Sequence, residues 1–296
     1  MVLLELFSGI GGFSKGLQAA GYSFEKVYFS EIEKNAIANF KYNFPYAEHI
    51  GSVTDIAKVG IARPDIITFG SPCQNFSSVG DGSGLRGEAS SLVRYAVEAV
   101  GRFRPDVFIW ENVKGVFFAK HRSDFWSIIK AFADIGGYRL EWQLLNTAWF
   151  LPQSRERMYL VGRLAEKCAG EVFPLFPPRE KHGKGKQDSV YSGDCGTITQ
   201  NYYKQPNFGN YILHLKTGET FDGTPTSEQS ERIRMLTETE CERLHGFPDG
   251  HTRYGVYEDG SVRTVPRANR YAMLGNAVSV PVVAEVAGKI KETTLF

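Results

Sequence analysis

A cysteine stands directly after a proline in the stretch FGSPCQ, residues 69–74, just past the strand-like run 65–69. A thiol in that place is a small buried side chain, a metal ligand or a nucleophile. The four cysteines, Cys73, Cys168, Cys195 and Cys241, form no C-x-x-C pair, and no histidine lies at zinc-finger spacing from any of them. The spacing therefore predicts no metal site, and it leaves a structural thiol and a nucleophile as alternatives for Cys73.

Three more polar groups stand at the ends of strand-like runs: the glycine-rich stretch 8–12, Glu31 and the pair Glu111-Asn112. In a parallel sheet the carboxyl ends of the strands lie on one edge, and ligands bind in the crevice there. We therefore expect these groups to share one cleft with Cys73.

The glycine-rich stretch and Glu31 together indicate a nucleoside-bearing cofactor. Gly9, Gly11 and Gly12 approach the spacing G-x-G-x-x-G, but position 14 is Ser. Such a loop lets a ligand approach the backbone and aims a helix N-terminus at it, although a tight turn would use the same residues. An acid about 20 residues further on suits ribose hydroxyls. NAD and S-adenosylmethionine both fit this pattern.

Cys73 and Glu111 favour methyl transfer over hydride transfer, which needs no thiol beside a carboxylate. C5 of cytosine becomes nucleophilic when a thiolate adds to C6 and a carboxyl group protonates or hydrogen-bonds N3. A free thiol has a pKa of about 8.5, so an electropositive setting is required. Arg155 and Arg157 are candidates to supply it, on one face of a strand with Glu156 on the other. The alternatives are a strand-end cap for Glu111 and a solvated charge cluster for the arginines.

The elements that position these groups alternate between short apolar runs and segments with helical periodicity. This alternation predicts parallel βαβ units with right-handed crossovers. We therefore expect an α/β fold with an open, mostly parallel, doubly wound sheet. The predicted strands are 2–7, 26–30, 65–69, 106–110 and 158–161, and the predicted helices are 15–20, 33–43, 91–100 and 125–132.

The composition and periodicity of the sequence change after a proline-rich stretch that ends at residue 178. The residues beyond it are rich in Gly, Thr, Tyr and Asn and show little helical periodicity outside 237–244. A last helix is predicted at 279–290. We predict a catalytic and cofactor-binding domain of residues 1–178, completed by 268–296, and a smaller irregular domain of residues 179–267.

Composition is typical of a globular protein, with 42% hydrophobic and 23% charged residues among 296. The net charge of +1 excludes a strongly basic chain, so any nucleic-acid surface must be local. Residues 179–186, with four basic residues against one acid, are either part of that surface or a solvated loop. The sequence predicts no membrane span and no targeting segment, and hence a cytoplasmic protein.

Six motifs, in order along nearly the whole chain, resemble those of the C5-cytosine DNA methyltransferase family in its bacterial or phage modification type. LFSGIGGF at 6–13 resembles the cofactor loop, and GSPCQ at 70–74 resembles the nucleophile motif. The resemblance implies a Rossmann-like, S-adenosylmethionine-dependent methyltransferase sheet with a smaller target-recognition domain. The other four motifs are ENV at 111–113, QSRER at 153–157, RLHGFP at 243–248 and LGNAV at 274–278.

The resemblance implies a role for each matching residue. Cys73 would add to C6 of a cytosine flipped out of a specific duplex DNA sequence, and Glu111 would act on N3. Arg157 would contact the base, and Arg155 would order the catalytic loop. The expected contacts to S-adenosylmethionine are Phe7, Ile10, Gly11, Gly12, Glu31, Ile32, Ser52, Val53, Gly70, Pro72, Leu92, Asn276 and Ala277. The expected contacts to DNA are Gln74, Ser77, Arg86, Thr197 and Thr199.

It also implies the partners. The substrate would be double-stranded DNA, and the products would be 5-methylcytosine and S-adenosylhomocysteine. We expect a monomer with no metal and no membrane, and a cognate restriction endonuclease, if present, would act separately. Residues 74–86 match the loop that closes over DNA, and residues 181–234 match the target-recognition region, in which the run 196–199 (GTIT) resembles a recurring element.

Three positions depart from the commonest family pattern. Ile32 stands where a tryptophan often stacks on adenine, and Ser52 stands where an aspartate often meets the adenine amino group. Ala277 replaces a frequent serine. Each departure weakens one expected contact to the cofactor, and none touches the chemistry.

Three rival functions stay open. The same chemistry on tRNA is the nearest, although the Cys-Phe-Thr block of the tRNA-acting relatives does not occur in the sequence. A NAD-dependent oxidoreductase would leave Cys73 and Glu111 without a role. A catalytically silent DNA-binding relative is the third.

Overall fold

The computed structural model describes residues 1–72, 92–177, 195–204, 211–213, 216, 219 and 226–296. Its centre is a seven-stranded sheet with the strand order β3-β2-β1-β4-β5-β7-β6. The strands are β1 Val2–Leu6, β2 Lys26–Ser30, β3 Glu48–His49, β4 Ile66–Gly70, β5 Val107–Val113, β6 Tyr138–Asn146 and β7 Glu156–Leu164.

Strands β1 to β5 pair with one another in parallel, which confirms the predicted mostly parallel α/β sheet. Strand β7 runs antiparallel between β5 and β6. The carboxyl ends of the parallel strands therefore meet the amino end of β7. We call this side of the sheet the carboxyl edge; it comprises Leu6, Ser30, Gly70, Val113 and Glu156.

Helices cover the sheet, and two antiparallel strand pairs, β8 Tyr211–Leu213 with β9 Ile233–Met235 and β10 Tyr254–Val256 with β11 Val262–Thr264, lie outside it. The sequence sets the ends of the helix Glu238–His245, because Thr237 and Glu240 form a capping box and Gly246 ends the helix at φ +80°. The helices are α1 Gly12–Ala19, α2 Lys34–Asn43, α3 Val93–Phe103, α4 Arg122–Asp134, α5 Ser227–Ser230, α6 Glu238–His245, α7 Arg267–Asn276 and α8 Val280–Thr293.

Apolar side chains alternate between the two faces of the sheet and form two core clusters. One cluster joins Phe69, Phe108 and Trp110 with residues of α3 and α4. The other joins Leu3 and Ile109 with residues of α1 and α8. Helix α8 thus packs with α1 on the second face, as predicted for the returning last helix. Helices α7 and α8 together form the apolar stretch Arg267–Thr293, which has the length and hydropathy of a membrane-crossing helix. However, 61% of the most apolar part of this stretch is buried inside the protein.

A third core cluster joins residues of both predicted domains. Ile198 and Tyr202 pack there with residues of α6 and α7 and with Ile10 of the glycine-rich loop. The described part of the smaller predicted domain is therefore packed by apolar contacts against the glycine-rich loop, α2 and α7. The boundaries of the two domains stay a prediction.

The sequence predicted neither β3 nor β6, β4 lies one residue later than predicted, and β7 is longer than predicted at both ends. Two further differences have a clear cause. The predicted strand 106–110 continues to Val113, because the antiparallel ladder to β7 pairs Glu111 with Tyr159 and Val113 with Arg157. Glu111 and Asn112 therefore lie inside β5 and do not follow it. Strand β1 ends one residue early, because Phe7 turns into the left-handed region at φ +52°.

Candidate active site at the carboxyl edge

Glu111 and Arg157 form an ion pair at the carboxyl edge. Arg157 Nε lies 3.1 Å from Glu111 Oε1, and the two side chains are only 16% and 10% exposed. They meet because β7 is antiparallel to β5, which places the beginning of β7 opposite the end of β5. Burial raises the pKa of the Glu111 carboxyl, while the charges of Arg157 and Arg155 act in the opposite direction. A carboxyl with a raised pKa donates a proton or hydrogen bond to a ring nitrogen at higher pH than an exposed glutamate does.

The chain that leads to Cys73 passes beside Glu111. Gly70 pairs with Glu111 in the sheet, and a Cβ on Gly70 would lie 3.2 Å from Glu111 Oε2. The next residue, Ser71, is fixed because its hydroxyl accepts hydrogen bonds from Trp110 Nε1 at 3.0 Å and Asn112 Nδ2 at 3.1 Å. Cys73 itself lies outside the described residues, as do the predicted DNA contacts Gln74, Ser77 and Arg86.

A buried acid, Glu5, caps helix α1 from inside the sheet. Its Oε2 accepts hydrogen bonds from Ser14 N at 3.1 Å and Ser14 Oγ at 2.5 Å. Gly11, at the N-cap of this helix, has no side chain to do so. Because the amide of Ser14 at this helix N-terminus is already bound to Glu5, it is not available to the pyrophosphate of a dinucleotide. This arrangement disfavours NAD and fits a cofactor without phosphates.

Replacing Glu5 by Gln should stabilise the protein above neutral pH. Burial raises the pKa of Glu5 from its ordinary 4.5 to about 7. A raised carboxyl pKa means that the folded state loses stability as pH rises between these two values, by about 3 kcal/mol in all. The free energy of unfolding of both proteins should therefore be measured with denaturant from pH 4 to 8. Plotted against pH, the two curves should be parallel below pH 4.5 and diverge from there to pH 7. Exposed Glu25→Gln is the control, and a constant gap for Glu5→Gln would contradict the raised pKa.

Glu31 holds the glycine-rich loop from the end of β2. Its Oε2 accepts from Gly9 N at 2.8 Å, and its Oε1 accepts from the amides of Ile32 and Glu33 at 2.8 and 3.0 Å. A carboxylate has about four acceptor positions, so one stays available for a ligand hydroxyl. Gly9 has φ +52°, and nothing lies within 4 Å of where its Cβ would be, so a ligand can come close to the backbone. These features fit the ribose of S-adenosylmethionine.

The neighbouring positions that depart from the family pattern have identifiable places. Ile32 is 75% exposed, so an apolar surface next to Glu31 is available to a planar ring such as adenine. Ser52 caps the short 3₁₀ helix Val53–Asp55 by accepting a hydrogen bond from Thr54 N at 3.2 Å. Its hydroxyl is therefore partly engaged, and Val53 behind it is buried.

The remaining predicted cofactor residues divide by exposure. The side chain of Ile10 is buried in the third cluster, and its carbonyl lies 2.8 Å from Nε2 of His251. Burial lowers the pKa of His251 to about 4, so this neutral ring supports the loop from behind. Gly11, Gly12 and Ala277 are also buried, whereas Phe7, Gly70, Pro72 and Leu92 are half-buried and Asn276 is exposed.

Arg155 lies behind the edge and not on it. It is 2% exposed and donates hydrogen bonds to the carbonyls of Ile198, Gly275 and Ala277. Its predicted effect on the catalytic loop concerns residues 74–86, which lie outside the described ranges. Glu156 points to the surface, where it pairs with Lys114 at 2.7 Å.

The two predicted DNA contacts that the structure describes are in the segment 195–204. Thr199 is exposed, and Thr197 is half-buried. The hydroxyl of Thr197 donates to the carbonyl of Ser154 at 2.7 Å, so it can only accept from a ligand. Within the described ranges no group of three or more His, Cys, Asp or Glu side chains could hold a metal ion.

Sequence reasoning missed two residues that shape the site. Glu5 had a signal, because a lone acid in the middle of the otherwise apolar strand VLLEL needs a buried partner. Gln153 is completely buried and bonds to both Ile198 and Leu244, and nothing in its local sequence indicated this.

Comparison with known proteins gives consistent results. A model of the C-5 cytosine-specific DNA methylase family matches residues 1–204 and 177–292. The type II methyltransferase M.Bsp6I of Bacillus sp. (strain RFL6) is 27% identical over 323 residues, 99% of each chain. The orphan methyltransferase M.SPRI of Bacillus phage SPR is 35% identical over 192 residues, 64% of this chain, and the match spans only 44% of that relative.

Solved structures share the fold. The Entamoeba histolytica methyltransferase EhMeth has a TM-score of 0.74 at 18% identity, over 99% of this chain and 98% of that one. The S. pombe Dnmt2 methyltransferase has a TM-score of 0.66 at 23% identity, with the same coverage. The family match confirms the predicted enzyme class, a DNA (cytosine-5)-methyltransferase, and these folds confirm the predicted architecture. The chain therefore belongs to the C-5 cytosine-specific DNA methylase family.

Proposed function

We propose that this protein transfers a methyl group from S-adenosylmethionine to C5 of cytosine in one short sequence of duplex DNA. The buried ion pair between Glu111 and Arg157 carries the proposal. The ion pair lies beside Gly70, which is three residues before Cys73. A thiol-dependent attack on a pyrimidine ring requires a nucleophilic thiol and a carboxyl group at the ring nitrogen, and Cys73 and Glu111 would supply them.

In this mechanism the thiolate of Cys73 forms a bond to C6, and the electrons of the C5–C6 double bond move toward C5. The negative charge that this addition places on the ring is stabilised at N3, where Glu111 supplies a proton or a hydrogen bond. Arg157 holds the carboxyl in place and is proposed to contact the base. The chemistry supplied by bound S-adenosylmethionine is an electrophilic methyl group. Removal of the C5 proton then breaks the bond to Cys73 and restores the ring.

The depth of the site supports base flipping. The side chain of Glu111 is only 10% exposed, and a cytosine stacked in a duplex could not present N3 to it. The target base must therefore leave the helix. Residues 179–267 are proposed to read the surrounding sequence, since the motifs of the first domain are assigned to cofactor and chemistry.

The setting of the enzyme is proposed in the same terms. We place it in the cytoplasm as a monomer, without a metal, and with any cognate restriction endonuclease acting separately. For the cofactor, the support is the Glu31 carboxylate, the open approach at Gly9 and the exposed Ile32, together with the capped N-terminus of α1.

Expression in a methylation-free host should mark one short cytosine-containing sequence. Bisulfite sequencing of the host DNA reads the marked sites. In parallel, the purified protein should transfer label from tritiated S-adenosylmethionine to DNA and not to tRNA. Label in tRNA alone would transfer the proposal to the RNA-acting alternative. No label in either, with cofactor bound, would favour a catalytically silent DNA-binding protein.

A further inference from the structure

Two segments from the two predicted domains lie side by side next to the active site. We call residues 195–204 the recognition segment and residues 152–155 the turn. Ser154 N donates to the carbonyl of Cys195 at 2.7 Å, and Cys195 N donates back to the carbonyl of Pro152 at 2.8 Å. The recognition segment is therefore attached to the turn by its backbone, and not only by apolar packing.

Two buried side chains of the turn hold the centre of the recognition segment. Gln153 Oε1 accepts from Ile198 N at 3.3 Å, and its Nε2 donates to the carbonyl of Leu244 at 2.6 Å. Arg155 Nη1 donates to the carbonyl of Ile198 at 3.0 Å. Both polar groups of the Ile198 backbone are thus bound by side chains that are 0% and 2% exposed.

The other end of the same guanidinium group reaches the cofactor side. Arg155 Nη2 donates to the carbonyls of Gly275 and Ala277, at 3.0 and 2.7 Å. These two residues flank Asn276, which is proposed to contact the cofactor. One planar cation therefore joins the recognition segment to the end of α7, and it lies two residues before Arg157.

Close backbone packing makes a second link between the same two parts. A Cβ on Gly275 would come within 2.2 Å of Thr199 C and Gln200 N. The recognition segment therefore rests directly on the last turn of α7. Any side chain at position 275 would push the two apart, without any change of charge.

We propose that Arg155 is a positioning residue for sequence specificity, a role it performs without touching DNA or cofactor. By fixing the recognition segment relative to residues 275–277 and to Arg157, it determines whether a correctly read sequence places its cytosine at Glu111. This inference rests on the proposed function. It differs from the role in the catalytic loop that the family resemblance implies, because it follows from contacts to Ile198, Gly275 and Ala277.

A lysine cannot replace this arginine. Two separate nitrogens of the rigid, planar guanidinium group bind the three carbonyls, Nη1 that of Ile198 and Nη2 those of Gly275 and Ala277. The single nitrogen of a lysine ammonium group cannot reach both positions. Arg155→Lys keeps the charge near Glu111 and removes the bridge. Gly275→Ala keeps Arg155 and inserts a methyl group between α7 and the recognition segment. The two changes disturb the same geometry by independent means.

Arg163→Lys is the matched control. Arg163 lies near the far end of β7, the strand that Arg155 directly precedes, and is 0% exposed. It also donates to backbone carbonyls, those of Thr293 at 2.6 Å and Gly170 at 2.7 Å. Its replacement should lower the melting temperature by at least as much as Arg155→Lys, but it touches neither the recognition segment nor residues 275–277.

The measurement is kcat/KM on the duplex sequence marked by the wild type, divided by kcat/KM on the same duplex with one neighbouring base pair changed. Arg155→Lys and Gly275→Ala should each lower this ratio, by ~5- to 150-fold, and raise the KM for S-adenosylmethionine. Arg163→Lys should leave the ratio within twofold. If Arg155→Lys does not fold, Gly275→Ala carries the test.

The outcomes separate the inference from the function on which it rests. An unchanged ratio in an active Arg155→Lys or Gly275→Ala enzyme would overturn the positioning role, as would an equal loss in Arg163→Lys. A wild-type enzyme that marks cytosines without sequence preference, or marks none, would instead overturn the proposed function.

Discussion

Cys73→Ala should abolish methyl transfer, with a loss of about 10⁴-fold or more. Without the thiol, no bond forms to C6, and C5 of cytosine is too poor a nucleophile to react. The rate is measured with tritiated S-adenosylmethionine and the duplex identified by bisulfite sequencing. Binding of DNA and cofactor should change little, because the substitution removes one sulfur atom.

Covalent trapping gives a direct test of the same residue. In a duplex with 5-fluorocytosine at the target position, C5 has no proton to lose after methylation, so the bond between Sγ and C6 cannot be broken. The wild type should therefore give a protein–DNA band that resists denaturation and requires the cofactor, and Cys73→Ala should give none.

Cys168→Ala is the control for this experiment. Cys168 is half-buried, and its thiol donates to the carbonyl of Leu164 at the opposite end of β7 from the site. This variant should form the adduct and methylate normally. An adduct formed by Cys73→Ala, or one lost in Cys168→Ala, would remove Cys73 from the role of nucleophile.

Glu111→Gln should lower the methylation rate by ~10²–10⁴-fold, the usual contribution of a general acid. The amide fills the same volume and can still hydrogen-bond N3, but it cannot transfer a proton. Single-turnover rates should fall, while the affinities for DNA and cofactor stay within a few-fold of the wild type. A rate within threefold of wild type would leave Glu111 only a structural role as the partner of Arg157.

The pH profile distinguishes proton donation from a merely structural role. Burial raises the pKa of Glu111, so its carboxyl stays protonated to a higher pH than that of an exposed glutamate. The wild-type rate should fall on the alkaline side of that pKa, and this limb should be absent in Glu111→Gln. Glu156→Gln, which breaks an exposed ion pair with Lys114 next to Arg157, should keep the limb.

Local sequence signals determined much of the fold. The strand predicted at 26–30 forms there, the one predicted at 65–69 forms one residue later, and the helix after Thr237 begins at a capping box, because these signals act within a few residues. The ends of β5 could not be obtained in this way. They depend on a ladder with β7, which is about 45 residues away in sequence.

The sequence by itself determined the family and the enzyme class, and it predicted the residues that carry the chemistry, because the motifs predict a thiol, a carboxyl group and a glycine-rich loop at strand ends that a parallel sheet brings together. Only the tertiary structure decided how those residues are held. The antiparallel direction of β7 brings Arg157 to Glu111, and burial raises the pKa of Glu111 and of Glu5. Arg155 lies behind the edge, between Ile198 and Gly275, because its partners are backbone carbonyls. Every residue has such a carbonyl, so no side-chain pattern in the sequence could reveal which ones would meet it.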